Sequence, residues 1–161
     1  MGYASVLNAR PSWEDRFRQP TLDELREAYA PNPQAGKLFE TARERLLGYP
    51  DVTETIEWQG LPWRWTIVYG LQGDPTRALT YLVPDPAGPK VAVPLTGEMI
   101  DAMPLRRMKK HIRDGLSTGR RVGGTIWACF DIGGKQQLDE VLDLPKRKVK
   151  YITQQVAAVA S

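Results

Sequence analysis

The chain has one cysteine, Cys129, and one histidine, His111. A lone cysteine rules out an intrachain disulfide, and a lone histidine leaves no second imidazole for a histidine metal site or an imidazole-based triad. The setting of Cys129 in IWACF predicts a thiol buried in a strand rather than an exposed nucleophile. His111 lies inside a basic run whose charge opposes its protonation, and reads as a surface residue. No stretch approaches the roughly eighteen consecutive apolar residues of a membrane-spanning helix. The opening MGYASVLNARPSWEDRF holds only a short apolar run, broken at Asn8 and Arg10, so it does not read as a signal peptide. Val6 stands where an N-myristoylation signal carries Ser or Thr. The expectation is a cytoplasmic protein with no membrane partner. Phosphate-loop spacing is missing too: the glycines of GGTIW and DIGGK are not followed by Lys-Ser or Lys-Thr at the required distance, and Gly133-Gly134 reads as a strand-to-helix turn.

What is present is the material of one globular domain. The chain has 161 residues, 42% of them hydrophobic and 25% charged, enough for a single sizeable core, with no internal repeat. The net charge of +3 conceals an asymmetry. Residues 1–60 carry seven basic and ten acidic side chains, whereas residues 104–161 carry twelve basic and five acidic ones. A basic half attracts anions or nucleic acid without specifying either.

Residues 1–20 lack periodicity and contain Pro11 and Pro20, which predicts an irregular arm with Trp13 and Phe17 available to pin it; residues 21–161 read as the single domain. Thr21 followed by Glu24 is a capping-box pattern that opens a short helix up to Pro31. A second helix begins near Asn32 and Pro33, with Leu38, Phe39, Ala42 and Leu46 on one side, and ends at Gly48. Two strands follow within VTETIEWQGLPWRWTIVY, residues 52–69. A third, ALTYLV, places Leu79, Tyr81 and Val83 on one face, and a fourth, KVAVPL, contains a proline that argues for an edge or a terminus.

After Thr96 the apolar spacing becomes helical. A short helix precedes a second one opening at Pro104, with Leu105, Met108, Ile112 and Leu116 as its apolar seam and Arg106, Arg107, Lys109, Lys110 and Arg113 opposite. STGRRVGG reads as a loop carrying Arg120 and Arg121, and TIWACFDI as the last strand. GGKQQLDEVLDL reads as a helix closed at Leu144-Pro145, and the tail offers Val149, Ile152, Val156 and Val159 as a final docking row. Short Pro/Gly connections between consecutive strands imply an α+β fold: a mainly antiparallel sheet of about five strands, with helices before and after it packed on one face.

These pieces resemble a known family. VTETIEWQGLPWRWTIVYG, a strand ending in Trp, a small turn and an aromatic strand, is similar to the hallmark of the YdhG-like (DUF1801) proteins and the related DUF3788 proteins. VAVPLTGEMIDAM, GRRVGGTIWACFDI and LDEVLDLPKRK match the latter pattern in order and character, and the resemblance spans roughly residues 20–150. It implies a small α+β domain and, for some YdhG-like proteins, a frataxin-like iron-chaperone role. That role needs an acidic ridge of hard oxygen ligands. Here Arg26 interrupts Asp23, Glu24 and Glu27, while Arg43 and Arg45 alternate with Glu40 and Glu44, so the residues themselves imply a mixed solvated surface and no cofactor or bound metal.

Alternation in the second strand puts Trp63, Trp65, Ile67 and Tyr69 on one side, either as a wall of the core or as a wall of a pocket. The leading expectation is a binding domain. Trp58, Trp63, Trp65, Tyr69 and Tyr81 would line a pocket for a small organic or protein ligand, with Glu54 or Arg121 as a polar anchor. Glu54 shares parity with Ile56 and Trp58, an apolar side on which a carboxylate needs a partner, although a place near solvent at the strand end is the favoured reading. Glu57 points the other way, where Arg64 could pair with it across the hairpin. One alternative is a small enzyme using Glu54 or Glu57 as acid/base. Another is an interaction module that binds nucleic acid or an acidic partner through the basic 105–121 segment, nucleic acid being the weaker expectation because no aromatic reader motif accompanies the charge.

Overall fold

The computed structural model describes residues 11–160. The chain enters as turns over residues 11–20 and then forms α1 (Leu22–Glu27) and α2 (Pro33–Leu47). Thr21 accepts from the Glu24 amide while the Glu24 carboxylate accepts from the Thr21 amide, a complete capping box, and Asn32 caps α2 with Pro33 in its first turn. Four strands follow, β1 (Thr53–Trp58), β2 (Trp65–Gly70), β3 (Thr80–Val83) and β4 (Lys90–Thr96). Next come α3 (Gly97–Asp101), a 3-10 turn (Leu105–Arg107), α4 (Lys110–Ser117), β5 (Arg120–Val122), β6 (Thr125–Asp131), α5 (Lys135–Val141) and α6 (Asp143–Ala160).

The strands form one antiparallel sheet in the order β1-β2-β3-β4-β6-β5, which makes the fold α+β with six strands where about five were expected. The extra strand is β5. The segment read as a loop pairs Arg120, Arg121 and Val122 with Trp127, Ile126 and Thr125, turning through Gly123 at φ 59, a left-handed position suited to glycine. Pro94 lies in β4, which is interior to the sheet rather than an edge. It is accommodated because β3 pairs with β4 only as far as Ala92, so that flank of Pro94 has no ladder to interrupt.

Strand parity divides the interior in two. Trp65, Ile67 and Tyr69 of β2, Val91, Val93 and Leu95 of β4, and Ala128 and Phe130 of β6 face a single large core. Every helix sends its buried hydrophobic side chains there, among them Leu25, Phe39, Leu46, Met99, Ile112, Leu138 and Ile152. The opposite side of the sheet carries a separate small cluster of Val68, Ala78, Tyr81 and Ala92, to which no described helix contributes. Tyr81 therefore parts company with Leu79 and Val83, which join the helix-side core.

Four further expectations are corrected. Met108 is extended, with ψ 154, so the basic segment is a 3-10 turn and a separate α4 rather than one helix from Pro104. Pro145 sits in the first turn of α6 instead of ending a helix, a position where its missing N–H costs nothing. The buried row of α6 is Leu144, Lys148 and Ile152, whereas Val156 and Val159 are exposed. In the arm, Trp13 is buried and Phe17 is exposed, so Phe17 takes no part in pinning it. The expected features of residues 1–10 lie outside the described residues. Among those described, no helix is long and apolar enough to cross a membrane.

Candidate functional site

The β1–β2 connection decides where the tryptophans go. Arg64 has φ 62, a left-handed conformation that breaks the two-residue alternation just before β2 begins. Trp65 turns to the helix side, while the Trp63 ring reaches the outer face, 5.5 Å from Tyr81 and 6.2 Å from Trp127 between ring centroids. Tyr81 and Trp127 stand 5.3 Å apart, closing a triangle of rings. The expected single wall of Trp58, Trp63, Trp65 and Tyr69 is thus not formed.

On the helix side the aromatic groups are structural. Trp65 donates its indole N–H to the Asp15 carbonyl at 2.6 Å, and Trp13 donates to the Trp63 carbonyl at 3.0 Å. These two bonds clamp the arm to the end of β2. Trp58 lies edge-on to Trp65, 5.6 Å between centroids, where β1 and β2 pair. Tyr69 is fully buried and donates its hydroxyl to Glu54 at 2.9 Å. Burial and the adjacent Glu54 carboxylate both raise the Tyr69 pKa far above its ordinary range, so the hydroxyl stays a donor. Arg43 of α2 completes the group. Its Nη2 donates to Glu54 Oε1 at 3.0 Å and its Nε stands 2.9 Å from Oε2.

Glu54 is therefore half-buried and partnered rather than solvated at a strand end, and both its oxygens are engaged within the fold. Glu57 is exposed and accepts from Thr55 at 2.7 Å. Arg64 does not reach Glu57; it stacks over Trp13 at 5.0 Å and faces Glu14 at 3.5 Å. Arg121 sits on β5, five places across the sheet from β1, so it anchors nothing beside the aromatic hairpin.

The outer-face rings differ from Trp13, Trp65 and Tyr69 in one respect, which they share with Trp58 and with Tyr29, whose buried hydroxyl has no partner. The Trp63 and Trp127 indole N–H groups and the Tyr81 hydroxyl make no hydrogen bond among the described residues. Trp63 and Trp127 are half-exposed, and Tyr81 forms the floor between them with Val68 and Ala92. Buried Trp and Tyr normally place their polar atom against a partner, as Trp13, Trp65 and Tyr69 do. Burial raises the Tyr81 pKa, with Arg77 opposing it and Glu57 and Asp74 adding to it, so charged groups of both signs surround the phenol. Arg120 is the cross-strand partner of Trp127 and shares its face.

Cys129 is also on this face. It is exposed rather than buried, because Ala128 and Phe130 take the inward positions of β6. Partial desolvation and Asp131 hold its thiol above the ordinary value, so it is not a ready thiolate.

No family model, curated protein or solved structure matches this chain.

Sequence reasoning named Trp63 and Tyr81 but missed Trp127. The signal was available: in TIWACFD, Trp127 shares parity with Thr125, Cys129 and Asp131, the polar side of the strand, and a large aromatic there is out of place on a solvated face. Among the described residues no three His, Cys, Asp or Glu side chains converge as a metal site would require. Acids of α1 and α2 are instead met by arginines, Glu24 by Arg18, and Asp23 and Glu40 by Arg26. The pairing with Arg18, followed by the Thr21 amide, lowers the Glu24 pKa to about 2.

Proposed function

We propose that this chain is a binding domain of the YdhG-like kind that holds a planar, unsaturated ring system against Trp63, Tyr81 and Trp127 on the outer face of its sheet. The observation that supports the reading most is that three rings cluster on one face of the sheet with their polar atoms unengaged. Trp13, Trp65 and Tyr69 have their polar atoms tied into the fold, whereas the three clustered on the outer face keep theirs unengaged. Two indole donors and one phenol suit a ring with hydrogen-bond acceptors along its edge. Stacking on such side chains contributes about 1–3 kcal/mol per ring face. Glu54, Trp58, Trp65 and Tyr69 take structural parts in this reading. It assigns no proton transfer to Glu54, whose oxygens already accept from Arg43 and Tyr69.

The test is a fluorescence titration of the full chain with a panel of planar heteroaromatic acids and amides. Any compound that binds the wild type should lose about tenfold or more in affinity with Trp127→Ala and with Trp63→Ala. It should keep its affinity with Trp58→Ala, and Tyr81→Phe should weaken only compounds bearing an edge acceptor. Equal affinity in all four variants would remove the outer face from consideration.

A further inference from the structure

A cavity of about 500 Å³ opens on the helix side of the sheet's β5–β6 end. It is separate from the aromatic face: Ile126, which helps floor it, and Trp127, which belongs to the ring cluster, project from opposite sides of β6. Ile100, Leu105, Leu116 and Ile126 make the floor apolar. At the mouth stand three cations, Lys110, Arg113 and Arg121, and two carboxylates, Asp101 and Asp114. All five are exposed, and among the described residues none makes an ion pair or a side-chain hydrogen bond. Arg18, Arg26, Arg43, Arg45, Arg64 and Arg147 each face a carboxylate within ion-pair reach, whereas the cations at this mouth are left free to meet an external anion.

We propose that this cavity binds a small amphipathic monoanion, a carboxylate carrying an apolar chain. The floor takes the chain and Arg113 and Arg121 take the head. Arginine is the side chain best shaped for a carboxylate, offering parallel N–H donors to both oxygens. The two acids decide the charge of the ligand. Three cations against two carboxylates leave the mouth with one net positive charge, which matches a single negative head and disfavours a multiply charged phosphate. The volume lies within the range of small-molecule sites, and its floor gives the burial that a short carboxylate alone would lack.

The probes are octanoate, 1-octanol, acetate and heparin, titrated by calorimetry into the full chain. Octanoate should bind saturably at one site. Octanol, with the same chain and no charge, and acetate, with the same head and no chain, should each bind at least tenfold more weakly. The double variant Arg113→Gln/Arg121→Gln, which alters only exposed side chains, should weaken octanoate about tenfold or more while leaving thermal stability and any ligand of the Trp127 face unchanged. Asp101→Asn/Asp114→Asn should tighten octanoate. Equal binding of octanol, or octanoate affinity indifferent to the arginine pair, would overturn the proposal. So would heparin binding through those arginines with no octanoate signal, which would make this a phosphate-tracking surface instead. Because Trp63, Tyr81 and Trp127 take no part, either binding proposal can fail while the other stands.

Discussion

Lys148 is fully buried on α6, and replacing it with methionine gives the sharpest test of how this fold is held together. Its Nζ donates to Thr76 Oγ1 at 2.8 Å, to the Ala78 carbonyl at 2.7 Å and to the Leu79 carbonyl at 3.1 Å, and lies 3.4 Å from Asp74 Oδ2. One ammonium thus fastens the turn between β2 and β3 to the last helix. Methionine keeps the apolar stem but leaves the buried Asp74 carboxylate without its cation and the Ala78 and Leu79 carbonyls with only the Thr76 and Thr80 hydroxyls. Removing one partner of a buried ion pair costs about 3–5 kcal/mol. The ammonium's own desolvation is relieved at the same time, so we expect a loss near the lower end, about 3 kcal/mol at pH 7. For a chain of this size that lowers Tm by roughly 6–12 °C.

Burial, opposed by Asp74, brings the Lys148 pKa down from 10.5 to about 8. Between those values the unfolded chain holds a proton on Lys148 that the folded chain has released, so stability rises with pH across the window. The contribution is complete above 10.5 and is lost as pH falls through about 8. Buried Tyr29 and Tyr69 act in the opposite sense above about pH 10, and Cys129 does so above about 9, because their raised pKa values favour the protonated folded form. Those effects are common to wild type and variant. The quantity to plot is therefore the difference in unfolding free energy, from urea titrations followed by circular dichroism at pH 7, 8, 9 and 10. It should start at about 3 kcal/mol and widen by about 2 kcal/mol between pH 8 and 10. A loss below 1 kcal/mol at pH 7, or a difference flat from pH 8 to 10, would refute the reasoning.

Other substitutions probe other joints. Glu54→Ala removes the carboxylate between Arg43 and Tyr69 and should destabilise by about 2–3 kcal/mol in the same assay, with Arg43→Ala/Glu54→Ala costing less than the sum of the single changes. Gly115→Ala should cost about 1–3 kcal/mol, because a Cβ there would lie 2.3 Å from the Phe130 ring, and Phe130→Leu should relieve part of that loss. Trp65→Ala should cost about 3–5 kcal/mol and loosen the arm, visible as faster amide exchange over residues 12–18, whereas Trp127→Ala should leave that exchange unchanged.

Much of this molecule follows from local rules. The capping box at Thr21, the stop at Gly48, the apolar face of α2 and the alternation of β1 and β2 depend on neighbours within a few residues, and the sequence alone determined them, together with the antiparallel α+β class that short connections enforce. The parity of Glu54 turned it to the apolar side, but the sequence favoured a solvated strand end, and neither its partnered state nor Arg43, eleven residues away on another element, was legible there.

Tertiary structure decided the rest, because the deciding contacts join residues far apart in the chain. A single left-handed residue, Arg64, sent Trp63 away from Trp65 and towards Trp127, sixty-four positions later. β5 became a strand only by pairing with β6. Lys148 could be buried only because carbonyls and a carboxylate from residues 74–79 met its charge, a condition that helical spacing, which nominated Val156 and Val159, cannot express. Periodicity reports which face of an element is apolar; what that face meets is settled when distant segments pack and each buried polar atom finds its partner.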